Sequence, residues 1–144
     1  MKIKKIITDE SILSIECVKC NVTKPDFFVA LENLMGTANF LKDKCAGLAF
    51  NQINYLLRGF VIKQNGSFVP IINPEYVSKS TSMKSRNETC LSRPGRSPVK
   101  KRRSVKVKIA HYDLEEKKIK VSTFYALQAR AIQHEMDHLN GILI

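Results

Sequence analysis

The sequence predicts an α+β fold: antiparallel or mixed β-sheets packed around a central C-terminal helix, with another helix towards the N-terminus. Three observations point to it. Apolar residues recur at three- and four-residue steps after Pro25 and again before Gly141. Between these stretches several extended segments follow one another with no helix interposed, which favours antiparallel pairing. The last periodic stretch runs into His134-Glu135-Met136-Asp137-His138, a His-Glu-x-x-His motif. At 144 residues and 44% hydrophobic content, the chain is expected to form one globular domain over 1–144 with its own core.

Pro25-Asp26 opens the first helix, whose apolar stripe runs Phe27, Leu31, Leu34 or Met35, Ala38 and Leu41. Gly36 inside it costs about 1 kcal/mol against alanine. Arg58 to Lys63 reads as a strand, Asn65-Gly66 as a turn and Ser67 to Ile72 as a second extended piece, with Asn73-Pro74 as a break. From Ser104 to Tyr112 the pattern alternates: Val105, Val107 and Ile109 on one face, Lys106 and Lys108 on the other. Asp113 to Glu116 turns this strand and Lys118 to Val121 returns it. The C-terminal helix is expected from about Thr123 to Asn140. Ser122 is its N-cap, Phe124, Leu127 and Ala131 with Met136 or Leu139 form its apolar side, and Gly141 takes the left-handed position beyond its end.

No run of apolar residues is long enough to span a membrane, and the basic start lacks the apolar segment of a signal peptide, so the expected location is the cytoplasm. The four cysteines are then expected as thiols, the pair Cys17 and Cys20 included, because a structural zinc site at that spacing would need a second pair. His111, on the apolar side of its strand, is expected as a core or edge histidine. The formal net charge is +11, and Arg93, Arg96, Lys100, Lys101, Arg102, Arg103, Lys106 and Lys108 form a stripe with no acid among them. Such a stripe suits either a solvated strand face or contact with a polyanion.

On a helix, His134 and His138 lie on one face about 6 Å apart along the axis and can reach one ion together. Glu135, beside a ligand, can take a proton from a water held there. A catalytic site of this kind needs one more protein donor, and Cys90 is the candidate.

Three blocks carry a family resemblance. Glu88-Thr89-Cys90-Leu91-Ser92 resembles the Glu-Gly-Cys-Leu-Ser motif of peptide deformylases. Gly47-Leu48-Ala49-Phe50-Asn51-Gln52 is similar to that family's Gly-x-Gly-x-Ala-Ala-x-Gln segment, and Gln133 to Gly141 to its Gln-His-Glu-x-Asp-His-Leu-x-Gly. The blocks stand in family order across nearly the whole chain. Because few residues follow Gly141, the chain resembles short members such as phage genomes carry.

The resemblance implies a metal-dependent hydrolase that removes the formyl group from N-formylmethionyl nascent peptides. Cys90, His134 and His138 would hold one divalent ion, usually Fe²⁺ in the family, with Zn²⁺, Ni²⁺ or Co²⁺ also able to occupy the site. Glu135 would be the general base, and the Gln52 amide and Leu91 backbone N–H would steady the oxyanion. The peptide would lie extended beside Gly47 and Thr89, with its first side chain in a pocket near Leu127, Arg130 and Ala131. Arg102 would pair with Glu88 to brace the cysteine loop.

The chain departs from the family pattern at Cys45 and Thr89, where glycines are usual, at Phe50, where a small residue is usual, and at Arg130, where an apolar residue lines the methionine pocket. Arg130 can direct its charge outward along its stem or alter which first residue is accepted. Asp137 is open between a partner of the metal ligands and a solvated acid. Two rival expectations are a metallopeptidase, whose third ligand would have to follow His138, and a catalytically impaired deformylase-like module binding RNA.

Overall fold

The computed structural model describes residues Met1 to Ile144. After a single helical turn α1 (Glu10–Leu13) come α2 (Pro25–Phe40), β1 (Gly47–Ala49), a 3₁₀ turn over Phe50–Ile53, β2 (Gly59–Gln64), β3 (Ser67–Lys79), β4 (Met83–Glu88), β5 (Val99–Ser104), β6 (Lys106–Asp113), β7 (Lys118–Tyr125) and α3 (Ala126–Leu139). Five strands form one antiparallel sheet in the order β1-β2-β3-β6-β7, and β4 pairs only with β5 in a separate hairpin. No helix is long and apolar enough to cross a membrane.

The sheet is covered on both faces. Phe60 and Ile62 of β2 join Ile71, Val107, Ile109 and Phe124 against Ala129, Ile132, Met136 and Leu139 of α3. Val61, between them in β2, joins Leu48, Phe68 and Ile72 against Phe27, Ala30, Leu34 and Ala38 of α2. Successive strand residues point to opposite faces, so a strand buried on both sides reads as an unbroken apolar run. α2 keeps its predicted start and runs through Gly36, where the Met1 thioether packs so closely that a Cβ would lie 2.6 Å from its sulfur.

Two elements differ from expectation. Asn73-Pro74 does not end the second extended segment: β3 continues to Lys79 through a register shift between Ile72 and Glu75. Asn73 takes φ +50° there, and its side-chain amide bonds both the N–H and the carbonyl of Cys20 at 2.7 and 3.1 Å. The break is thus a bulge, tolerated because asparagine accepts the left-handed region and finds local partners.

The C-terminal helix begins three residues later than expected. β7 runs on to Tyr125 because all eight of its residues pair with β6. Phe124 is therefore a strand residue in the core, and Ser122, expected as a helix cap, instead bonds His111 Nε2 at 2.8 Å. Ladder bonds and one buried ring outweigh the alanine-rich helix propensity. The chain reverses at Ala126, which has φ +52° and no side-chain cap before it. Leu127 is consequently 62% exposed and is not part of the core.

Candidate active site

α3 presents two faces. One packs Ala129, Ile132, Met136 and Leu139 on the sheet, and the other carries Arg130, His134, Glu135 and His138 towards the β4–β5 hairpin and β1. Its C-terminal carbonyls are held: Asn51 Nδ2 donates to His138 O at 2.8 Å, and the Cys17 N–H and Arg58 Nη1 donate to Leu139 O at 2.9 and 3.1 Å. The helix bearing the motif is thereby tied to the 3₁₀ turn that bears Gln52.

Cys90 lies two residues beyond the end of β4. Its Sγ lies 3.2 Å from His138 Nε2, and the donor atoms of Cys90, His134 and His138 all fall within 4.8 Å of one another. Thiolate and imidazole donors around one tetrahedral ion stand about 3.3–3.6 Å apart, given bonds of about 2.0–2.3 Å. The trio therefore fits a single ion after small side-chain adjustments. His134 Nδ1 is 3.0 Å from Glu88 Oε1, which turns Nε2 of that ring towards the cluster.

Glu88 is the hub behind the ligands. It accepts from Arg103 Nε and Nη2 at 3.1 and 2.9 Å, and also from Arg130 Nη1. Arg103 in turn donates to Asp137 Oδ2 at 2.6 Å. Burial alone would raise the Glu88 pKa, but the bonds from His134, Arg103 and Arg130 win and hold it well below the usual carboxylate range.

The arginine that braces Glu88 is thus Arg103, not Arg102. Side chains alternate along β5, so Arg103 is buried facing Glu88 while Arg102, one residue away, points to solvent. Asp137 is resolved as a partner of this network.

Glu135 is 4% exposed, and its Oε1 has no hydrogen-bond partner. Burial pushes its pKa up to about 7, only partly offset by the positive charges of His134 and Arg103. Its other oxygen sits against Gly47: a Cβ there would lie 2.9 Å from Glu135 Oε2 and 2.9 Å from the Val61 carbonyl. For His138, burial and the neighbouring charges of His134 and Arg103 lower the pKa to about 3. For His134, burial works against the charged ring, but interactions with Cys90, Glu88 and Glu135 raise it to about 10.

Gln52 Oε1 accepts from the Ala49 N–H at 3.0 Å, which aims its NH₂ group at Ser92 Oγ (3.1 Å) and Cys90 Sγ (3.6 Å). The Leu91 N–H makes no bond to another backbone carbonyl. These groups open onto a cleft of about 570 Å³, walled on one side by Cys45 and Gly47, on another by Thr89 to Leu91, and on the third by Leu127, Arg130 and Ala131. Gly47 belongs to β1, the edge strand of the large sheet. Ser92, Asn51 and Arg103 were not singled out from the sequence as site residues. Arg103 appeared there only as one charge of the basic stripe.

Two imidazoles on one helix, a thiol from a separate hairpin and a buried unpaired carboxylate at the floor of a cleft define a metal-dependent hydrolase. The third donor lies upstream of the helix, unlike the downstream ligand of a His-Glu-x-x-His peptidase. The polypeptide deformylase family matches residues 3–144, and the chain belongs to that family, metal-dependent hydrolases that remove the N-formyl group from nascent peptides. It is 33% identical to the peptide deformylase of Clostridium beijerinckii over 99% of both chains. It is 36% identical to peptide deformylase 1 of Clostridium perfringens, over 94% of this chain and 90% of that one. Among solved structures, the crystal structure of peptide deformylase from Thermotoga maritima superposes with a TM-score of 0.88 at 25% identity, covering 99% of this chain and 95% of that one.

Proposed function

We propose that this chain deformylates peptides beginning with N-formylmethionine, using one divalent ion held by Cys90, His134 and His138, with Fe²⁺ as the resident metal and Zn²⁺, Ni²⁺ or Co²⁺ as substitutes. The observation that carries this is the meeting of those three donors beside the unpartnered, buried carboxylate of Glu135. Bound there, such an ion supplies Lewis acidity that polarises a carbonyl and lowers the pKa of water. Glu135, with a pKa near neutrality, takes the proton from the attacking water and returns it to the leaving amine as the formyl C–N bond breaks. Gln52 Nε2 and the Leu91 N–H donate to the oxygen on which charge builds, which typically contributes about a hundredfold or more in rate per donor.

The peptide backbone adds to the free edge of β1 beside Gly47 and passes Thr89. The first side chain enters between Leu127, Ala131 and the aliphatic stem of Arg130. The exposed Lys100, Arg102 and Lys106 favour a ribosomal RNA phosphate backbone as a docking partner in the cytoplasm. Reversing these three charges is expected to reduce co-sedimentation with ribosomes, and unchanged co-sedimentation would remove that contact from the proposal.

The central test is formate release from a formylmethionyl peptide under anaerobic conditions with Fe²⁺, beside a Glu135→Gln variant. Release by the parent and its collapse in the variant, with metal content equal, is expected. Equal release from both proteins would refute the role given to Glu135, and no release from the parent would refute the proposed activity.

A further inference from the structure

We infer that Arg130 is a positioning residue that fastens the β4–β5 hairpin to α3 and so sets where Cys90 stands relative to His134 and His138; this rests on the metal site proposed above. α3 carries both histidines on one rigid element, but Cys90 arrives at the end of β4, in a hairpin that shares no ladder with the five-stranded sheet. Gln52 steadies the loop beyond Cys90 through Ser92 at 3.1 Å, and the strand that delivers Cys90 is placed by how the hairpin is held.

Arg130 lies one helical turn before His134 and reaches both strands of the hairpin. Its Nη2 donates to the Lys84 carbonyl of β4 at 2.6 Å, and Nη1 and Nη2 donate to the Lys101 carbonyl of β5 at 3.2 and 3.0 Å. Nη1 also donates to Glu88, the carboxylate that orients His134. Lys84 and Lys101 are not opposite each other, since Lys84 pairs with Arg103 and Lys101 with Arg86, so one guanidinium spans two rungs of the ladder diagonally. The side chain is only 12% exposed, so these bonds compete little with water.

A second fastening runs the other way: Arg103 leaves β5, grips Glu88 and ends on Asp137 of α3. With both terminal nitrogens committed to protein acceptors, Arg130 offers the cleft its methylene stem rather than its charge. Its effect on the reaction runs through the place of Cys90, not through recognition of the first residue.

Arg130→Met keeps an unbranched stem and removes the donors, and Arg130→Lys keeps a charge but loses the planar fork. The readouts are Co²⁺ affinity of the metal-free protein, the thiolate-to-cobalt absorption band, hydrogen exchange of hairpin amides, and kcat against KM for a formylmethionyl peptide. Arg130→Met is expected to bind Co²⁺ about 10–100-fold more weakly, as loss of groups behind metal ligands generally does. Its cobalt–thiolate band should weaken and its hairpin amides exchange faster. Its kcat should fall while KM stays within about threefold of the parent. Arg130→Lys should recover part of each loss, and carries the same comparison if the methionine variant does not fold. Parental Co²⁺ affinity and an unchanged band in either variant would overturn the inference, as would a change confined to KM, which would mean that the guanidinium reads the substrate. A parent protein that binds no Co²⁺ and releases no formate would instead overturn the proposed function on which the inference stands.

Discussion

Replacing Gly47 by alanine tests the seat of the proposed base. Gly47 sits at the start of β1, paired with Ile62, with the Glu135 carboxylate pressed against its Cα. A Cβ at this position would lie 2.9 Å from Glu135 Oε2, 3.2 Å from its Cδ and 2.9 Å from the Val61 carbonyl oxygen. Carbon and oxygen rest at about 3.3–3.6 Å when they touch favourably, so the methyl group lacks roughly half an ångström on two sides. The Val61 carbonyl is fixed in the β1–β2 pairing, which leaves the carboxylate as the group that must move. Overpacking of this kind costs about 1–3 kcal/mol. Charged against the transition state at about 1.4 kcal/mol per factor of ten, that predicts a loss of roughly ten- to a hundredfold in kcat/KM. Metal content should not change, because Gly47 is not one of the three ligands. The assay is formate release with metal quantified in the same sample, beside urea unfolding. A Gly47→Ala variant with kcat/KM within about threefold of the parent would show that the carboxylate position at β1 does not matter to the reaction.

Two further outcomes are expected. Arg103→Ala should destabilise the protein by about 3 kcal/mol, because it removes two donors from the buried Glu88 and the partner of the half-buried Asp137, whereas Arg102→Ala should stay within about 0.5 kcal/mol; urea midpoints decide, and equal effects would contradict the assigned strand faces. Ion binding should release protons and tighten as pH rises: without an ion His134 keeps its proton to about pH 10 and Glu135 to about pH 7, and the His134 proton must leave before that nitrogen can ligate. His138, lowered to about 3, contributes nothing to this slope near neutrality. Proton release followed during Co²⁺ titration in weak buffer checks it, and an affinity flat between about pH 6 and 9 would refute the protonation states given to the empty cluster.

The sequence revealed most where one period dominates. His134 and His138 are four apart on a helix, and Asn65-Gly66 joins two apolar runs, with both residues at positive φ as such a hairpin turn requires. α2 shows its stripe from Pro25 onward for the same reason. The β4–β5 hairpin was legible only as a run of basic charge. Every residue of β4 except Glu88 is exposed, so it carries no alternation of apolar and polar side chains. What it buries is a carboxylate and an arginine, and nothing in local spacing separates Arg102 from Arg103 until the strand register is known. The start of α3 was hidden because Ser122 and Phe124 suit a cap and a helix face equally well. Their places were decided by eight pairings to β6 that lie far off in sequence.

The charges around the cluster explain why a divalent ion suits it. Behind the ligands, the carboxylates of Glu88 and Asp137 face the guanidinium groups of Arg103 and Arg130, and this outer set is neutral by itself. The inner set is Cys90, His134, His138 and Glu135. As thiolate and carboxylate, Cys90 and Glu135 bring two negative charges into a site that otherwise holds neutral imidazole, and Glu135 has an oxygen with no partner. Burial pushes Glu135 to about 7, and interactions with Cys90, Glu88 and Glu135 outweigh burial to raise His134 to about 10, so without an ion the cluster holds protons. One doubly charged cation replaces those protons and restores neutrality, while a singly charged one leaves an anion buried. The two outer arginines neutralise Glu88 and Asp137, so the charge left for the ion to balance is that of Cys90 and Glu135 alone.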